Sequence, residues 1–350
     1  MELMYKRTHG EDVREGFLRE FDADFEITTD VDNQSNNFEI TKTIPDSQEE
    51  LLWKENEIAT IVYVDGTEWG GKISGSTIDE SKGTITYTGR TWRGMLSQDI
   101  IEPYTQGQTA RDYKTVAAGT NIATALRALP MNQIISVQET TYTARAFTYN
   151  RYITTHEGAT NMLKNTQVNL RMKFAYDEDS GNVLLSVAPA EDRTSLIEIS
   201  QDYDDRVKLE IKRDGNTPKH LICLGDGELA ARTVLHLYAD ENWNITQTVI
   251  PGAYPVETYD YSGSEDLLTD GRKHFQELID QHTQIRVQVN GIDLNLSDII
   301  AARERLTGEY VTAEINRIIW KCNDQGEYQT ETFEYSTNVR THSVESEGKA

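Results

Sequence analysis

Residues 220–238 read HLICLGDGELAARTVLHLY. An apolar run, Leu221 to Leu224, leads into Gly225-Asp226-Gly227-Glu228-Leu229-Ala230. That is G-x-G-x-x-A after a strand-like segment, the spacing of a turn that brings backbone close to a pyrophosphate. Such a turn belongs to a strand–helix–strand unit, with a helix straight after the glycines. Here the run before Gly225 reads as half of a hairpin around Asp214-Gly215. In the run that follows, Val234, His236 and Tyr238 alternate with Leu235 and Leu237. Both faces are mostly apolar over too few residues for a cofactor-binding helix. The stretch therefore predicts antiparallel core strands, and its glycines a bulge or close backbone approach. A nicotinamide or flavin enzyme is not the expectation.

Moving outward, the same periodicity dominates the chain. In NNFEITKTI, Phe38, Ile40 and Ile44 fall on one face. Asp65-Gly66 sits between two β-rich runs, and DESKG (79–83) joins Ile73–Ile78 to TITYTG. Residues 1–105 thus predict an antiparallel β-domain. Helical spacing then appears: Tyr113, Val116 and Ala117 share one face, and Ile122, Ala125, Leu126 and Leu129 another. Thr120 is the expected cap of the second piece and Pro130 its stop. Thr154-x-x-Glu157 is a capping box, and DEDSGN (177–182) is a hairpin turn. Residues 106–190 predict a small α+β domain. From 191 to 340 strands return, with further hairpins expected at Asp214-Gly215 and DENWN. They are interrupted by a helix at 264–282 with Leu267, Leu268, Gly271, Phe275, Leu278 and Ile279 on one face. Residues 341–350 predict a flexible polar tail.

With 350 residues there is room for roughly two to three domains. The net charge of −24 is spread rather than blocked, which disfavours stable nucleic-acid binding because phosphates need Lys and Arg. The two cysteines, Cys223 and Cys322, lie in strand-like runs and predict buried thiols in a reducing compartment. No signal-peptide pattern and no long apolar run appears, so folding in the cytoplasm without membrane insertion is expected. DEDSGN and DESKG carry calcium-loop residues but lack the downstream Glu. DYDD (202–205) reads as a solvated acidic turn. The seven histidines form no zinc pattern, and no nucleophile motif accompanies either cysteine. No catalytic residue, cofactor or metal is expected. GRTWRGMLSQDIIEP (89–103) is the unusual stretch. Arg90, Trp92 and Arg93 crowd a strand end, and Trp and Arg are common interface anchors; a core Trp92 with solvated arginines is the other reading.

Three segments in order resemble the tail-hub proteins of long-tailed phages. GTEWGGKISGSTIDESKGTITYTGRTWRGMLSQDIIEP is similar to their first-domain hairpin followed by G-R-[ST]-[WF]-x-G-x-L-x-x-x-I-I-x-P. LICLGDGELAARTVLHLYADE matches L-I-x-L-G-x-G-E-L-x-x-R-x-V-x-x-L-Y-A-D, in which Arg232 stands. LSDIIAARERLTGEYVTAEINRII matches D-I-[IV]-x-[AG]-R-x-x-x-T-G-x-Y-V-x-x-x-I, in which Arg303 stands. Together they span most of the chain. LNLSD (294–298) departs from the family's D-x-G-D.

The resemblance implies a β-rich α+β fold: two similar antiparallel β-barrel domains, a small α+β domain between them and a helical insertion. It implies a homotrimeric ring at a phage tail tip or in a contractile injection machine, matched to a hexameric tail tube. The partners implied are a second and third copy, tail tube and distal tail proteins, and spike, fibre or tape-measure proteins. The place implied is the host cytoplasm during assembly and the tail of the mature particle. Candidate interface residues are Trp69, Arg90, Trp92, Arg93, Arg232 and Arg303. NEIATIVYVDGTEWGGKISGSTIDESKG and SDIIAARERLTGEYVTAEINRIIWKCNDQG run parallel in pattern, an echo of two barrel copies. The alternatives are a tail-associated cell-wall hydrolase, for which the chain leaves no room after its last strand, and a glycan-binding module using Trp69 or Trp243.

Overall fold

Strict alternation makes the first sheet. In the computed structural model, which describes residues 2–29, 35–102, 114–131, 133–194, 198–199, 207–260, 266–280, 282–289, 295–303, 310–323, 326–328, 331–334 and 340–342, seven strands occupy the N-terminal third. They are β1 (Met4–His9), β2 (Asp12–Phe17), β3 (Phe21–Thr28), β4 (Asn37–Thr43), β5 (Ala59–Tyr63), β6 (Gly70–Asp79) and β7 (Thr84–Thr91). On β3, Phe21, Ala23, Phe25 and Ile27 are buried; on β4, Phe38 and Ile40; on β7, Ile85 and Tyr87. Period-2 burial of this kind leaves the intervening polar residues on the solvent face. A one-turn helix, α1 (Trp92–Met95), ends the run.

The middle of the chain holds β8 (Thr115–Val116), α2 (Ile122–Arg127), β9 (Ile135–Val137), β10 (Phe147–Thr148), α3 (Thr155–Lys164), β11 (Leu170–Asp177) and β12 (Asn182–Pro189). β11 and β12 form the DEDSGN hairpin, closed by Asp177↔Asn182, and β9 joins β12 in parallel. Thr154 caps α3 as its box predicts, its Oγ1 accepting from the Glu157 N–H at 3.1 Å. Ile122, Leu126, Met162, Leu163, Met172, Phe174, Tyr176 and Leu185 share one core with Trp92, Leu96 and Ile101.

The remaining elements are β13 (Glu198–Ile199), β14 (Val207–Arg213), β15 (His220–Leu224), β16 (Val234–Ala239), β17 (Ile245–Thr246), β18 (Val256–Asp260), α4 (Leu267–Asp280), β19 (Thr283–Val289), β20 (Ile299–Arg303), β21 (Tyr310–Glu314), β22 (Arg317–Asn323), β23 (Gly326–Tyr328), β24 (Glu331–Glu334) and β25 (Arg340–His342). β15 and β16 pair antiparallel, His220↔Tyr238 through Leu224↔Val234, and only a three-residue 3-10 turn, Leu229–Ala231, follows the glycines. α4 lies on this sheet by the expected face: Phe275 and Ile279 are buried against Leu221, Cys223 and Leu237. Both cysteines are buried free thiols, and burial pushes the Cys223 thiol up.

Four local expectations change. β14 pairs with β19, not with β15, so Asp214-Gly215 is a connection and not a hairpin turn. Thr115–Val116 is a short strand against Phe147–Thr148, because two β-branched residues there gain a ladder partner where a helix would gain none; Tyr113 lies outside the described residues. Asn121, not Thr120, caps α2, its Oδ1 accepting from Ala123 and Thr124. Within 341–350, Thr341 and His342 pair with β21; residues 343–350, like DYDD (202–205), lie outside the described residues.

The strand order carries the main topological result. The first sheet runs β2-β1-β5-β6-β7-β4-β3-β22-β23. β22, from the far end of the chain, pairs antiparallel with β3 along Arg317↔Thr28 to Asn323↔Asp22. Trp320 completes the first core, 5.5 Å from the Phe25 ring and 5.5 Å from Trp69. The first sheet is thus built from residues on both sides of the expected boundary at 105.

Candidate interaction surface

The Arg–Trp stretch is an internal clamp. Thr91 ends β7; its N–H and Oγ1 both donate to the Asn36 carbonyl at 3.0 Å, and its Oγ1 accepts from Gly94 to cap α1. The cap turns Trp92 and Arg93 inward. Trp92 is 0% exposed, stacked on Tyr176 of β11 at 5.7 Å and 15°. Tyr176 in turn lies 4.1 Å from Tyr63, whose phenol burial pushes up to about 12. Gly70 admits the indole: a Cβ there would lie 2.7 Å from a Trp92 ring carbon.

Arg93 is 2% exposed. Its Nη2 sits 2.8 Å from Glu68 Oε1 and donates to the Met172 carbonyl at 3.0 Å, and the guanidinium lies over the Phe174 ring at 5.1 Å. A buried Arg persists only when paired and hydrogen-bonded like this. Both residues are therefore off the surface and join the first sheet to β11. Arg90 is half-buried and donates to the Ser35 carbonyl and Asn37 Oδ1. Trp69, also half-buried, stacks on Trp320 at 18°.

Arg232 and Arg303 sit elsewhere. Arg232 Nε donates to the Gly225 carbonyl at 3.0 Å and its Nη2 lies 2.5 Å from Asp260 Oδ1, so it ties β15, β18 and the Gly225–Arg232 loop together. At the tip of that loop Leu229 is 96% exposed at φ +50°. Arg303 is the last residue of β20, opposite Tyr310; its side chain lies outside those described. The six candidates are thus not one patch. Trp243, the other candidate sugar platform, is engaged by Lys219 at 5.0 Å and by the His282 ring at 4.1 Å.

Asp298 is a junction that residue type alone does not reveal. Its carboxylate is wholly buried and paired with Arg171, which also donates to the Leu296 carbonyl. Oδ1 accepts from the Glu191 N–H at 3.0 Å, Oδ2 from Asn295 at 3.2 Å, and Arg193 Nε lies 3.4 Å from Oδ2. Beside it, Ile315 donates to the Asp298 carbonyl and Ser297 to that of Ile315. Thr28 and Thr29 both donate to the Asn316 carbonyl. The middle segment, the entry to β20 and the crossing of β22 meet here. The signal in the sequence is the Asp ending LNLSD at the entry to β20.

A carboxyl that donates a proton near neutrality needs its pKa raised. Asp79, Asp192, Asp240 and Asp266 all move the other way, lowered first by hydrogen bonds from the side chains of Ser81, Thr194, Asn244 and Thr269. These are turn geometries. Among the described residues no group of three or more His, Cys, Asp or Glu is arranged to hold a metal, and no helix is long and apolar enough to cross a membrane.

No protein-family model matches the chain, and no curated protein is significantly similar to it. Solved structures do match. The 43 kDa tail protein of prophage MuSo2 from Shewanella oneidensis superposes with a TM-score of 0.51 at 14% identity, covering 95% of this chain and 98% of that one. The prophage tail protein gp18 from Listeria monocytogenes EGD-e superposes with a TM-score of 0.50 at 9% identity, covering 96% and 95%. The chain has the β-rich α+β fold of these phage tail proteins.

Proposed function

We propose that this protein is the structural hub of a phage tail tip or baseplate, or of a phage-derived injection particle. Three copies form a ring that adapts a hexameric tail tube to spike or fibre components and lets DNA pass. The observation that supports the reading most is the strand plan. β3-β4-β7 and β14-β19-β24 are each an antiparallel three-strand group, and β5-β6 and β20-β21 each an antiparallel pair; the first group and pair share one sheet, the second lie in two, and we read them as two copies of one barrel. Two such barrels per copy, taken three times, offer six similar units to a sixfold tube. The proposed division is 1–105, 106–190 and 191–340, with β22–β23 completing the first sheet. The role is adaptor, not enzyme, and the ring's inner wall is acidic, so that DNA slides without the Lys and Arg contacts that hold phosphates.

Sedimentation of the purified chain tests this. Three copies of 39.8 kDa give a particle of about 119 kDa, which shows no peptidoglycan release and no retention of duplex DNA at low salt. A chain that stays monomeric at high concentration and cleaves cell wall overturns the reading in favour of a hydrolase.

A further inference from the structure

One connection in the shared strand plan is used in the second barrel and left open in the first. β6 runs past its bulge at Ile73/Gly75 to the Asp79 turn and returns as β7. Its counterpart β21 stops at Glu314, and the chain continues as β22 into the hairpin with β23. That continuation has a destination: β22 lays Arg317–Asn323 along the outer edge of β3. The join carries cross-strand charge pairs, Arg317 with Glu26 at 2.7 Å and Lys321 with Asp24 at 2.5 Å.

In the first barrel the equivalent segment has no such destination. β5 covers β6 only at Gly70, Gly71 and Lys72. Beyond that point Ser74–Asp79 has β7 on one side and, among the described residues, no strand on the other. Ser74, Ser76 and Thr77 are exposed. Ile78 is 56% exposed although its cross-strand partner Ile85 is 1% exposed, so an apolar side chain sits at the rim of the core with none of the described residues covering it. Beyond the bulge at Ile73/Gly75, Ser76-Thr77-Ile78 contains no charge and no Pro, two of the devices that blunt an edge strand against pairing. The receiving edge has a counterpart too. β3 takes β22 on the side away from β4; the matching side of β14, away from β19, bears no strand among the described residues. In sequence β14 carries Lys208, Lys212 and Arg213, and the β6 turn carries Asp79 and Glu80.

We propose that Ser74–Asp79 of one copy pairs antiparallel with Val207–Arg213 of a second copy, repeating between copies the β22–β3 join made within each. The occupant is another copy because the internal join shows that the two edge types fit. Applied about a threefold axis, the contact is heterologous and closes a ring of six barrels, joined alternately within and between chains. This inference rests on the trimeric reading above and names the strands that make it.

Two sets of variants of the full chain test it. Ser76→Lys with Ile78→Lys places charge on exposed edge positions; it weakens association at least tenfold in sedimentation while circular dichroism and melting stay unchanged. Thr77→Cys is combined in turn with Leu209→Cys, Glu210→Cys and Ile211→Cys, the native cysteines being buried. Mild oxidation then gives a covalent ladder ending at three chains for at least one register, and none in the parent. A trimer that ignores the lysines and never cross-links overturns the strand pairing and leaves the hub reading standing. Monomers at every concentration, without cross-links, overturn both.

Discussion

Replacing Asp298 by Asn keeps the shape of the junction and removes its charge. Arg171, whose side chain is 5% exposed, then keeps a buried cation with no counter-charge, and the new amide faces donors at Glu191, Asn295 or Arg193 that Asp298 now accepts. Breaking a buried pair by removing one partner costs about 3–5 kcal/mol. For a cooperative unit of 350 residues that is roughly 4–7 °C in Tm. Calorimetry on the wild type, Asp298→Asn, Arg171→Met and the double variant completes a cycle. Each single change strands a charge or its acceptor, and the double change removes both. The cost of the double is therefore expected to fall short of the sum by about 2 kcal/mol or more. A Tm loss below about 2 °C, as for a solvated surface pair, or singles that add to within ~0.5 kcal/mol, would refute the junction argument.

Gly70→Ala drives a methyl to 2.6 Å from the Val62 carbonyl and 2.7 Å from the Trp92 ring; it costs about 1–3 kcal/mol, read as a lowered Tm, whereas Gly215→Ala, with nothing within 4 Å, leaves it unchanged. His220 is held below its ordinary 6.5 by burial and then by His236, whose Nδ1 is 2.8 Å away. The folded chain binds that proton less readily than the unfolded one, so stability is full above pH 6.5 and falls as pH drops through the lower folded value. His220→Gln flattens this acid limb in melts taken against pH. Leu229→Gly relieves a left-handed residue worth about 1–2 kcal/mol against an entropic cost of about 0.5–1, for a small rise in Tm. A 1–190 fragment leaves the β3 edge bare and Phe25 without Trp320; it aggregates or melts well below the full chain, and a stable monomeric fragment contradicts the proposed role of β22.

The local elements were legible where the period was clean. Phe38 and Ile40, Ile85 and Tyr87, and the Phe275/Ile279 face of α4 are buried as alternation and helical spacing require. Short-range chemistry was also readable: the Thr154 cap, the Asp177↔Asn182 hairpin and the Asp79↔Thr84 turn all form. Pairing between distant strands was not. Asp214-Gly215 has the residues of a hairpin turn, yet β14 finds its partner in β19 some seventy residues on, because a turn dipeptide permits a reversal without choosing the strand beside it. The crossing of β22 into the first sheet left no trace in its own sequence. Arg317–Asn323 alternates alike whichever sheet it joins, and its choice is made by β3 acids and the Thr28 and Thr29 contacts to Asn316.

The side chains that stood out in the sequence misdirect for a physical reason. Trp and Arg mark interfaces whose energy lies in a few buried anchors, but the same residues are equally suited to joining two layers inside one chain. Trp92 and Arg93 do the latter, with Tyr176, Glu68 and the Met172 carbonyl as partners. An interface made by adding a strand to an edge draws its affinity from backbone N–H and C=O groups, which every sequence possesses. What it asks of side chains is restraint: no Pro, no Lys, small and β-compatible residues. Ser74-Gly75-Ser76-Thr77 meets that description and looks like nothing in particular when read as letters. Its significance appears only once the topology shows a neighbouring strand whose pairing with β6 ends at Ile61↔Lys72 and a sister hairpin already docked on β3.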